Sequence, residues 1–143
     1  MADAPIIHVD IVSAEGELYS GPATALFASA SQGELGIYPR HAPLLTLLKP
    51  GEVRVLPPGG GEEQHFFVGG GVLEVQPSKV TILADTALRA KDIDEAAALA
   101  AKQRAEDALR DKVGHITQAE ALAERARAAA QLKLIERLRK LRG

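Results

Sequence analysis

Proline and glycine, the residues that interrupt helices, are confined to one part of this 143-residue chain. All eight prolines lie at or before Pro77, and eleven of the thirteen glycines lie at or before Gly71. Alanine, leucine and charged residues dominate the rest of the sequence. Because proline and glycine are unfavourable inside helices and common in turns, this distribution predicts two architectures, a turn-rich part followed by a helical part.

Alternating apolar residues in the first part predict strands with one buried face. Ile7, Val9 and Ile11 are separated by polar residues, so their side chains share one side of a strand. The later apolar positions that predict strands are Val53, Val55, Val72, Val75, Val80, Ile82 and Ala84. Turn-forming residues stand at Glu15-Gly16, Ser20-Gly21-Pro22, Pro50-Gly51, residues 57–61 and Pro77-Ser78. Short strands between frequent turns predict an antiparallel β-sandwich over residues 1–88.

Residues 89–143 predict two helices. Asp92 is followed three residues later by Glu95, and Thr117 is followed by Glu120, so both pairs resemble capping boxes. Asp94 adds a carboxylate near the positive end of the first helix dipole. A helix is therefore expected to begin at each capping pair. A short bend between the two helices makes an antiparallel hairpin.

The predicted contact between these helices is thin. The first helix is expected to end near Val113, where Gly114 suits the left-handed terminating position. The faces expected to meet are Ala97, Ala100, Ala101, Ala105 and Ala108 in the first helix and Leu122, Ala126, Ala129, Ala130, Leu134, Leu138 and Leu141 in the second. Burial of apolar surface contributes about 25 cal/mol per Å², and alanine has little apolar surface to bury. A weakly held, movable hairpin is therefore expected. The fold class is α+β in two parts, an N-terminal antiparallel β-sandwich followed by a C-terminal antiparallel two-helix hairpin.

Several function classes lack their defining residues. The sequence has no cysteine, which excludes disulfides, thiolate zinc sites and cysteine nucleophiles. The four histidines are far apart, with no carboxylate at metal-ligand spacing, so no metal site and no catalytic residues are predicted. The common phosphate-binding, hydrolase and metalloprotease motifs are missing. A net charge of −2 and 3% aromatic residues argue against nucleic-acid binding.

The sequence also lacks membrane and export patterns. No apolar run approaches the roughly 20 residues needed to cross a bilayer, and the N-terminal residues lack the basic and apolar regions of a secretion signal. We therefore expect a protein that is not exported and that does not itself cross a membrane.

Two segments carry features that favour contact with partners. Residues 33–45 form an unusually apolar loop rich in glycine and proline, which is equally consistent with a packed corner of the sandwich and with an exposed docking shelf. In the second helix, seven basic residues and one acidic residue lie between Arg125 and the C-terminus. Lys133, Arg137 and Lys140 share one helix face, with Arg139 nearby. A solvated basic face is the ordinary explanation for such a cluster, but its density favours an acidic docking surface.

The sequence resembles the epsilon subunit of bacterial F-type ATP synthase over nearly its whole length. The resemblance rests on VSAE at residues 12–15, GELGIYPRHAPLLT at 33–46, LKPG at 48–51, GGVLEVQP at 70–77 and VTILADTA at 80–87. It implies a non-catalytic rotor subunit of the central stalk, which helps to couple proton flow to ATP synthesis. It also implies a location on the cytoplasmic face of the bacterial plasma membrane, reached only through the rest of the complex.

The resemblance implies partners for each part of the chain. The sandwich would bind the gamma subunit and sit on the c-ring, with Glu34, Tyr38 and His41 contacting the ring. The hairpin would lie folded or extend, and in the extended form Lys133, Arg137, Arg139 and Lys140 would meet the alpha and beta subunits and restrain ATP hydrolysis.

No cofactor is expected, apart from weak binding of ATP. Some bacterial relatives bind ATP through an I/L-D-x-x-R-A motif at the start of the first helix. This chain has Ile93 and Asp94, but Ala97 occupies the arginine position and Arg104 is the nearest following arginine. Any ATP site formed by Ile93, Asp94 and Arg104 should be weak, because the cation for the phosphates is missing. The alternative function is a stand-alone nucleotide-sensing module.

Overall fold

A computed structural model of the chain describes residues 5–111 and 117–142. The chain divides into two compact units, Met1–Arg89 and Ala90–Gly143. The predicted end of the first helix, at Val113 and Gly114, lies outside the described residues. The strands of the first unit are β1 (Ile7–Ser13), β2 (Gly16–Ala23), β3 (Ala25–Ala30), β4 (Gly33–Ile37), β5 (Leu44–Leu56), β6 (Gln64–Val68), β7 (Gly71–Val75), β8 (Lys79–Ala84) and β9 (Ala87–Arg89).

These strands form two layers that share β5. The order is β2-β1-β8-β7-β5-β3-β4, and β6 pairs with both β5 and β9. Residues 44–48 of β5 pair with β7, whereas residues 51–55 pair with β6. Pro50 lies between these two stretches, where its missing N–H interrupts no ladder hydrogen bond. The predicted turn at Pro50-Gly51 is therefore wrong, because the strand continues through it while changing its partners.

The prediction of a β-sandwich is confirmed, with one difference in strand direction. β1 pairs parallel with β8, and every other pair is antiparallel among the described strands. The predicted turn at residues 20–22 is also wrong, since it lies within β2. β2 ends one side of the strand order, and an edge strand tolerates Pro22.

The sandwich core follows the predicted alternation. Ile7, Val9 and Ile11 are buried, and Val72 is the predicted apolar position that points outward instead. The other predicted positions that are buried are Val53, Val55, Val75, Val80, Ile82 and Ala84. At about 1.5–3 kcal/mol for each large buried side chain, this one continuous cluster provides the main stabilisation of the first unit.

Arg89 closes the sandwich at its last strand. Its Nη2 donates a hydrogen bond of 2.9 Å to the carbonyl oxygen of Leu18, and its guanidinium lies 5.6 Å from the ring centroid of Phe66. Arg89 therefore ties β9 to β2 and belongs structurally to the first unit.

The second unit contains helices α1 (Glu95–Asp111) and α2 (Gln118–Arg142). Asp94, and not Asp92, caps α1, because its Oδ1 accepts a 3.0 Å hydrogen bond from the backbone N of Ala97. The second predicted capping box is confirmed. The backbone N of Glu120 donates to Thr117 Oγ1 at 3.1 Å, and the backbone N of Thr117 donates to Glu120 Oε2 at 3.2 Å.

The helices run antiparallel and are joined by ion pairs at the first residue of α1 and just past its middle. Arg104 Nη2 lies 3.1 Å from Glu124 Oε1. The two terminal nitrogens of the Arg139 guanidinium, Nη1 and Nη2, both contact the Glu95 carboxylate, and the distance from Nη1 to Oε1 is 3.1 Å. The buried residues are Ala98, Ala105, Ala121, Ala128 and Leu134. The predicted faces are therefore partly wrong in phase, because Ala97, Ala100, Leu122, Ala126 and Leu141 are exposed.

Candidate interaction sites

Only residues 38–43 of the predicted apolar loop lie between strands, because residues 33–37 form β4 and residues 44 and 45 begin β5. The segment has both a buried and an exposed part. Ile37 is fully buried, whereas the next residue, Tyr38, is 56% exposed. The Tyr38 ring stands edge-on to Phe27, with 6.0 Å between the ring centroids. His41 is half-buried, and its Nδ1 donates to the carbonyl oxygen of Ala42 at 2.7 Å. The backbone N of His41 also donates to the carbonyl oxygen of Tyr38, so the turn presents both side chains from one short segment.

Glu34 belongs to a charged cluster on the outer face of the second layer. The Arg54 guanidinium lies 3.5 Å from Glu34 Oε1 and 3.9 Å from a carboxylate oxygen of each of Glu52 and Glu63. It also lies 4.6 Å from the centroid of the Phe27 ring, which is a cation–π geometry. The structure thus places Glu34 beside Arg54 and Tyr38 beside Phe27. Arg54 and Phe27 contact each other, and the sequence analysis did not single them out.

An exposed apolar band crosses the outer face of the first layer. Leu47 on β5 pairs with Val72 on β7, Val72 pairs with Leu83 on β8, and Leu83 pairs with Val12 on β1. The side chains of this row and of the neighbouring Leu45 make up the band. Leu45, Leu47 and Leu83 are 69%, 63% and 53% exposed. Leucines that are adjacent and solvent-accessible indicate a surface that a partner covers.

A polar cluster lies two strand positions from this band. The Asp10 carboxylate accepts a 2.7 Å hydrogen bond from Ser20 Oγ, and it lies 2.9 Å from His8 Nε2 and 3.3 Å from Lys79 Nζ. His8 Nε2 also lies 3.0 Å from Ser20 Oγ. The same histidine nitrogen thus faces both serine and aspartate, whereas a Ser-His-Asp triad needs one ring nitrogen for each. The contacts of the cluster join β1, β2 and β8.

The Asp10 cluster predicts an acid-sensitive contribution to stability. The hydrogen bond from Ser20 lowers the pKa of Asp10 below 3.8, partial burial opposes this, and Lys79 and His8 lower it further. Because the folded-state pKa is lowered, the contribution is present above pH 3.8 and is lost as the pH falls through the lowered pKa. Asp10→Asn should lower the free energy of unfolding by about 0.5–1.5 kcal/mol at pH 7.

Urea unfolding at pH 7 and near pH 3 measures this effect. The difference between the wild type and Asp10→Asn should shrink at the lower pH, while Glu74→Gln, an exposed carboxylate on β7, should change little at either pH. A difference that stays constant across this range would contradict the assignment.

The predicted basic contacts of α2 are partly engaged within the second unit. Lys133 is exposed and Arg137 is half-buried. Arg139 binds Glu95, and this hydrogen bond raises the pKa of the Arg139 guanidinium. Lys140 lies 3.3 Å from Glu136. The four predicted contact residues therefore do not form one uncompensated patch.

The residues of the predicted weak ATP site do not converge. Asp94 uses one oxygen to cap α1, and Arg104 is bound to Glu124. Ten residues of helix separate Asp94 from Arg104 by about 15 Å. Ile93 is half-buried in the turn before α1. In the parts of the chain that are described, His, Asp and Glu side chains form no group of three that could hold a metal ion.

Comparison with known proteins identifies the family. Residues 6–90 match the beta-sandwich domain of the ATP synthase delta/epsilon chain, and residues 91–136 match the long alpha-helix domain of the same chain. The chain belongs to the delta/epsilon chain family of ATP synthase. This membership confirms the resemblance found in the sequence and the prediction of a non-catalytic subunit of that enzyme.

The similarity to individual relatives extends over almost the whole chain. The ATP synthase epsilon chain of Nitrosococcus oceani is 63% identical over 140 residues, which cover 98% of this chain and 99% of the relative. The epsilon chain of Halorhodospira halophila is 58% identical over 134 residues, which cover 94% and 95%.

Solved structures share the fold. A chain of the Euglena gracilis mitochondrial ATP synthase aligns with a TM-score of 0.71 at 20% identity, covering 100% of this chain and 85% of that one. A chain from the central stalk and c-ring structure of the Tetrahymena thermophila enzyme aligns with a TM-score of 0.60 at 14% identity, covering 92% and 98%. Over residues 5–111 and 117–142, no helix combines the length and apolar character required to span a membrane.

Proposed function

We propose that this chain acts in the central stalk of a proton-translocating ATP synthase, where its sandwich joins the gamma subunit to the c-ring. The observation that carries the proposal is the apolar band. Leu45, Leu47 and Leu83 are well exposed on one sheet face, and covering them with an apolar surface of gamma would remove them from water. The charged cluster around Glu34 lies on the outer face of the other layer.

Association distinguishes this proposal from the stand-alone nucleotide sensor. When the ATP synthase is purified from its membrane, this chain should co-purify with gamma in a one-to-one ratio. A chain that remains monomeric and separate from gamma would support the sensor and contradict the proposal.

We propose that Glu34, Tyr38 and His41 contact the c-ring. Glu34 and Tyr38 are exposed, and the hydrogen bonds of the loop hold His41 close to Tyr38. A carboxylate, a phenol and an imidazole together offer hydrogen bonds to a polar protein segment. Binding to the ring would place the chain on the cytoplasmic face of the bacterial plasma membrane, held there by the complex.

The hairpin is proposed to restrain ATP hydrolysis. Its helices bury mainly alanine, so opening exposes little apolar area and two conformations need differ by only a few kcal/mol. The extended α2 would offer Lys133, Arg137, Arg139 and Lys140 to acidic surfaces of the alpha and beta subunits. Extension requires Arg139 to exchange Glu95 for a new partner.

Removing the hairpin tests this proposal. Deletion of residues 90–143 should raise membrane ATPase activity at least about fivefold, the lower end of common allosteric effects, while ATP synthesis is retained. The deletion should begin at Ala90, because Arg89 is bound to the sandwich. An additional deletion of Arg89 serves as the comparison, since it should also lower the unfolding free energy of the sandwich. Unchanged hydrolysis by the Ala90 deletion would contradict a restraining role.

We propose that ATP binding by the chain is weak. Asp94 caps α1, and Arg104, about 15 Å away along the helix, is paired with Glu124. Arg139 reaches the start of α1 but is paired with Glu95, so none of these residues offers an unpaired guanidinium to the phosphates. Isothermal titration of the full chain with ATP should give no low-micromolar affinity, and Ala97→Arg should strengthen binding if the arginine position is what limits it. A low-micromolar dissociation constant for the natural chain would contradict the proposal.

A further inference from the structure

Phe27 and Arg54 lie beneath two of the three residues proposed to contact the c-ring. They pair directly across β3 and β5, with the guanidinium 4.6 Å from the ring centroid. The ring contacts Tyr38, with perpendicular planes and 6.0 Å between centroids, and the guanidinium lies 3.5 Å from Glu34 Oε1. A single stacked pair of side chains therefore contacts both a tyrosine and a glutamate that face solvent.

Arg54 is itself held from several sides. Its side chain is 27% exposed, and Glu52 and Glu63 approach it at 3.9 Å in addition to Phe27. The Glu34 side chain is 64% exposed. An exposed glutamate loses rotamer entropy when it is ordered, and a cation that is already fixed reduces the number of orientations to be lost on binding.

Gly36 provides the space for this arrangement. It pairs with Phe27 across β4 and β3, and a Cβ at this position would lie 3.0 Å from Phe27 Cε1 and 3.5 Å from Tyr38 Cε2. A larger residue would require the Phe27 ring to shift by a few tenths of an ångström from its position between Arg54 and Tyr38. The glycine in the strand thus permits contact between two rings on neighbouring segments.

We propose that Arg54 and Phe27 are positioning residues that hold Glu34 and Tyr38 in the orientation in which they meet the c-ring. This inference rests on the proposed function, because it takes the contact of Glu34 and Tyr38 with the ring as given. It predicts that Arg54 acts through Glu34 and that Phe27 acts through Tyr38.

Reconstitution of the complex tests the inference. ATP synthase assembled without this chain is titrated with purified variants, and the concentration that restores half of the ATP-driven proton pumping is measured. The variants are Glu34→Gln, Arg54→Gln, the double variant, Arg54→Lys, Tyr38→Ala, Phe27→Leu and the double variant of the last two. Arg89→Gln is the matched control, because it removes another arginine that is stacked on a phenylalanine, away from Glu34 and Tyr38.

Arg54→Gln and Glu34→Gln should each raise the half-restoring concentration by about two- to fivefold. This is the change in affinity that corresponds to the loss of one exposed ion pair. The double variant should be no worse than Glu34→Gln alone, and Arg54→Lys should recover part of the loss. Phe27→Leu should add nothing to Tyr38→Ala, and folded Arg89→Gln should match the wild type.

The alternative outcomes separate the inference from the function on which it rests. An effect of Glu34→Gln without any effect of Arg54→Gln overturns the inference and leaves the c-ring contact standing. The inference is also overturned if the rise in half-restoring concentration for the Glu34→Gln, Arg54→Gln double variant is the product of the two single rises, because Arg54 would then act independently of Glu34. If neither Glu34→Gln nor Tyr38→Ala shifts the half-restoring concentration, the contact itself fails and the inference fails with it.

Discussion

Gly71→Ala should destabilise the sandwich by about 3–5 kcal/mol, a large share of the roughly 5–15 kcal/mol that stabilises an ordinary domain. Gly71 begins β7 with a φ of +139°, and an added Cβ would lie 2.2 Å from the carbonyl oxygen of Leu83 and 2.9 Å from the Cα of Ala84. Both atoms are backbone atoms of the paired strand β8, so no side chain can move aside to relieve the clash. The substitution must therefore separate β7 from β8 at the point where their ladder begins.

Gly16→Ala is the matched control for this substitution. Gly16 also has a positive φ, +122°, but nothing lies within 4 Å of its added Cβ. It should lose only about 1–2 kcal/mol, the cost of an alanine in an unfavourable backbone conformation. Urea unfolding followed by circular dichroism measures both variants. Equal losses would mean that backbone strain alone decides the effect and that β8 can move to accommodate the methyl group.

Leu47→Asp combined with Leu83→Asp should weaken binding to gamma by at least about 100-fold. Burial of a leucine side chain contributes about 1.5–3 kcal/mol, and each introduced carboxylate must also be desolvated at the interface. Both leucines are more than half exposed in the chain itself, so the double variant should keep its fold and its unfolding free energy. Titration with the purified gamma subunit measures the affinity.

Ile6→Asp provides the comparison for the apolar band. Ile6 is 51% exposed, much like Leu83, but it lies just before β1, at the other end of that strand from Val12 and about 20 Å away. It should leave the affinity for gamma nearly unchanged. Normal binding by a folded Leu47→Asp, Leu83→Asp variant would show that gamma does not cover the band.

The sequence analysis predicted which residues of a strand are buried better than it predicted which strands pair with each other. Alternation correctly identified Ile7, Val9 and Ile11 as buried, because the side-chain period of a strand is a local property. The parallel partner of β1 could not be derived in this way, since alternation does not say which strand lies alongside. The same limit applies to Pro50, which is a turn residue by composition but lies within a strand that changes layers.

The number and direction of the helices could be predicted from the sequence, but the face that each helix buries could not. Asp92 and Asp94 are both competent caps, and only the folded chain shows that Asp94 is used. The choice of cap does not decide which face is buried, and packing within the second unit buries Ala98 and leaves Ala97 exposed. Alanine-rich helices have few large apolar residues to mark the buried face, so the sequence alone could not identify that face.

The sequence analysis likewise named some residues of the candidate sites and missed others. Glu34, Tyr38 and His41 were named because the family resemblance implies them, and their proposed contact with the ring stays a prediction. Arg54 and Phe27 were missed because each is an ordinary outward residue on its own strand. They come together with Glu34 and Tyr38 only through the pairing of β3, β4 and β5.

The parallel pair has a consequence for how the chain is made. Val9 pairs with Val80, 71 positions further along, so β1 cannot complete its sheet until nearly the whole sandwich has left the ribosome. Until then, the edge of β1 that β8 will occupy is open to mispairing with other strands. The helical unit depends on nearer contacts and can form quickly once synthesised. Maturation of the subunit should therefore be limited by the sandwich, and interrupted synthesis before Ala84 should yield aggregation-prone fragments.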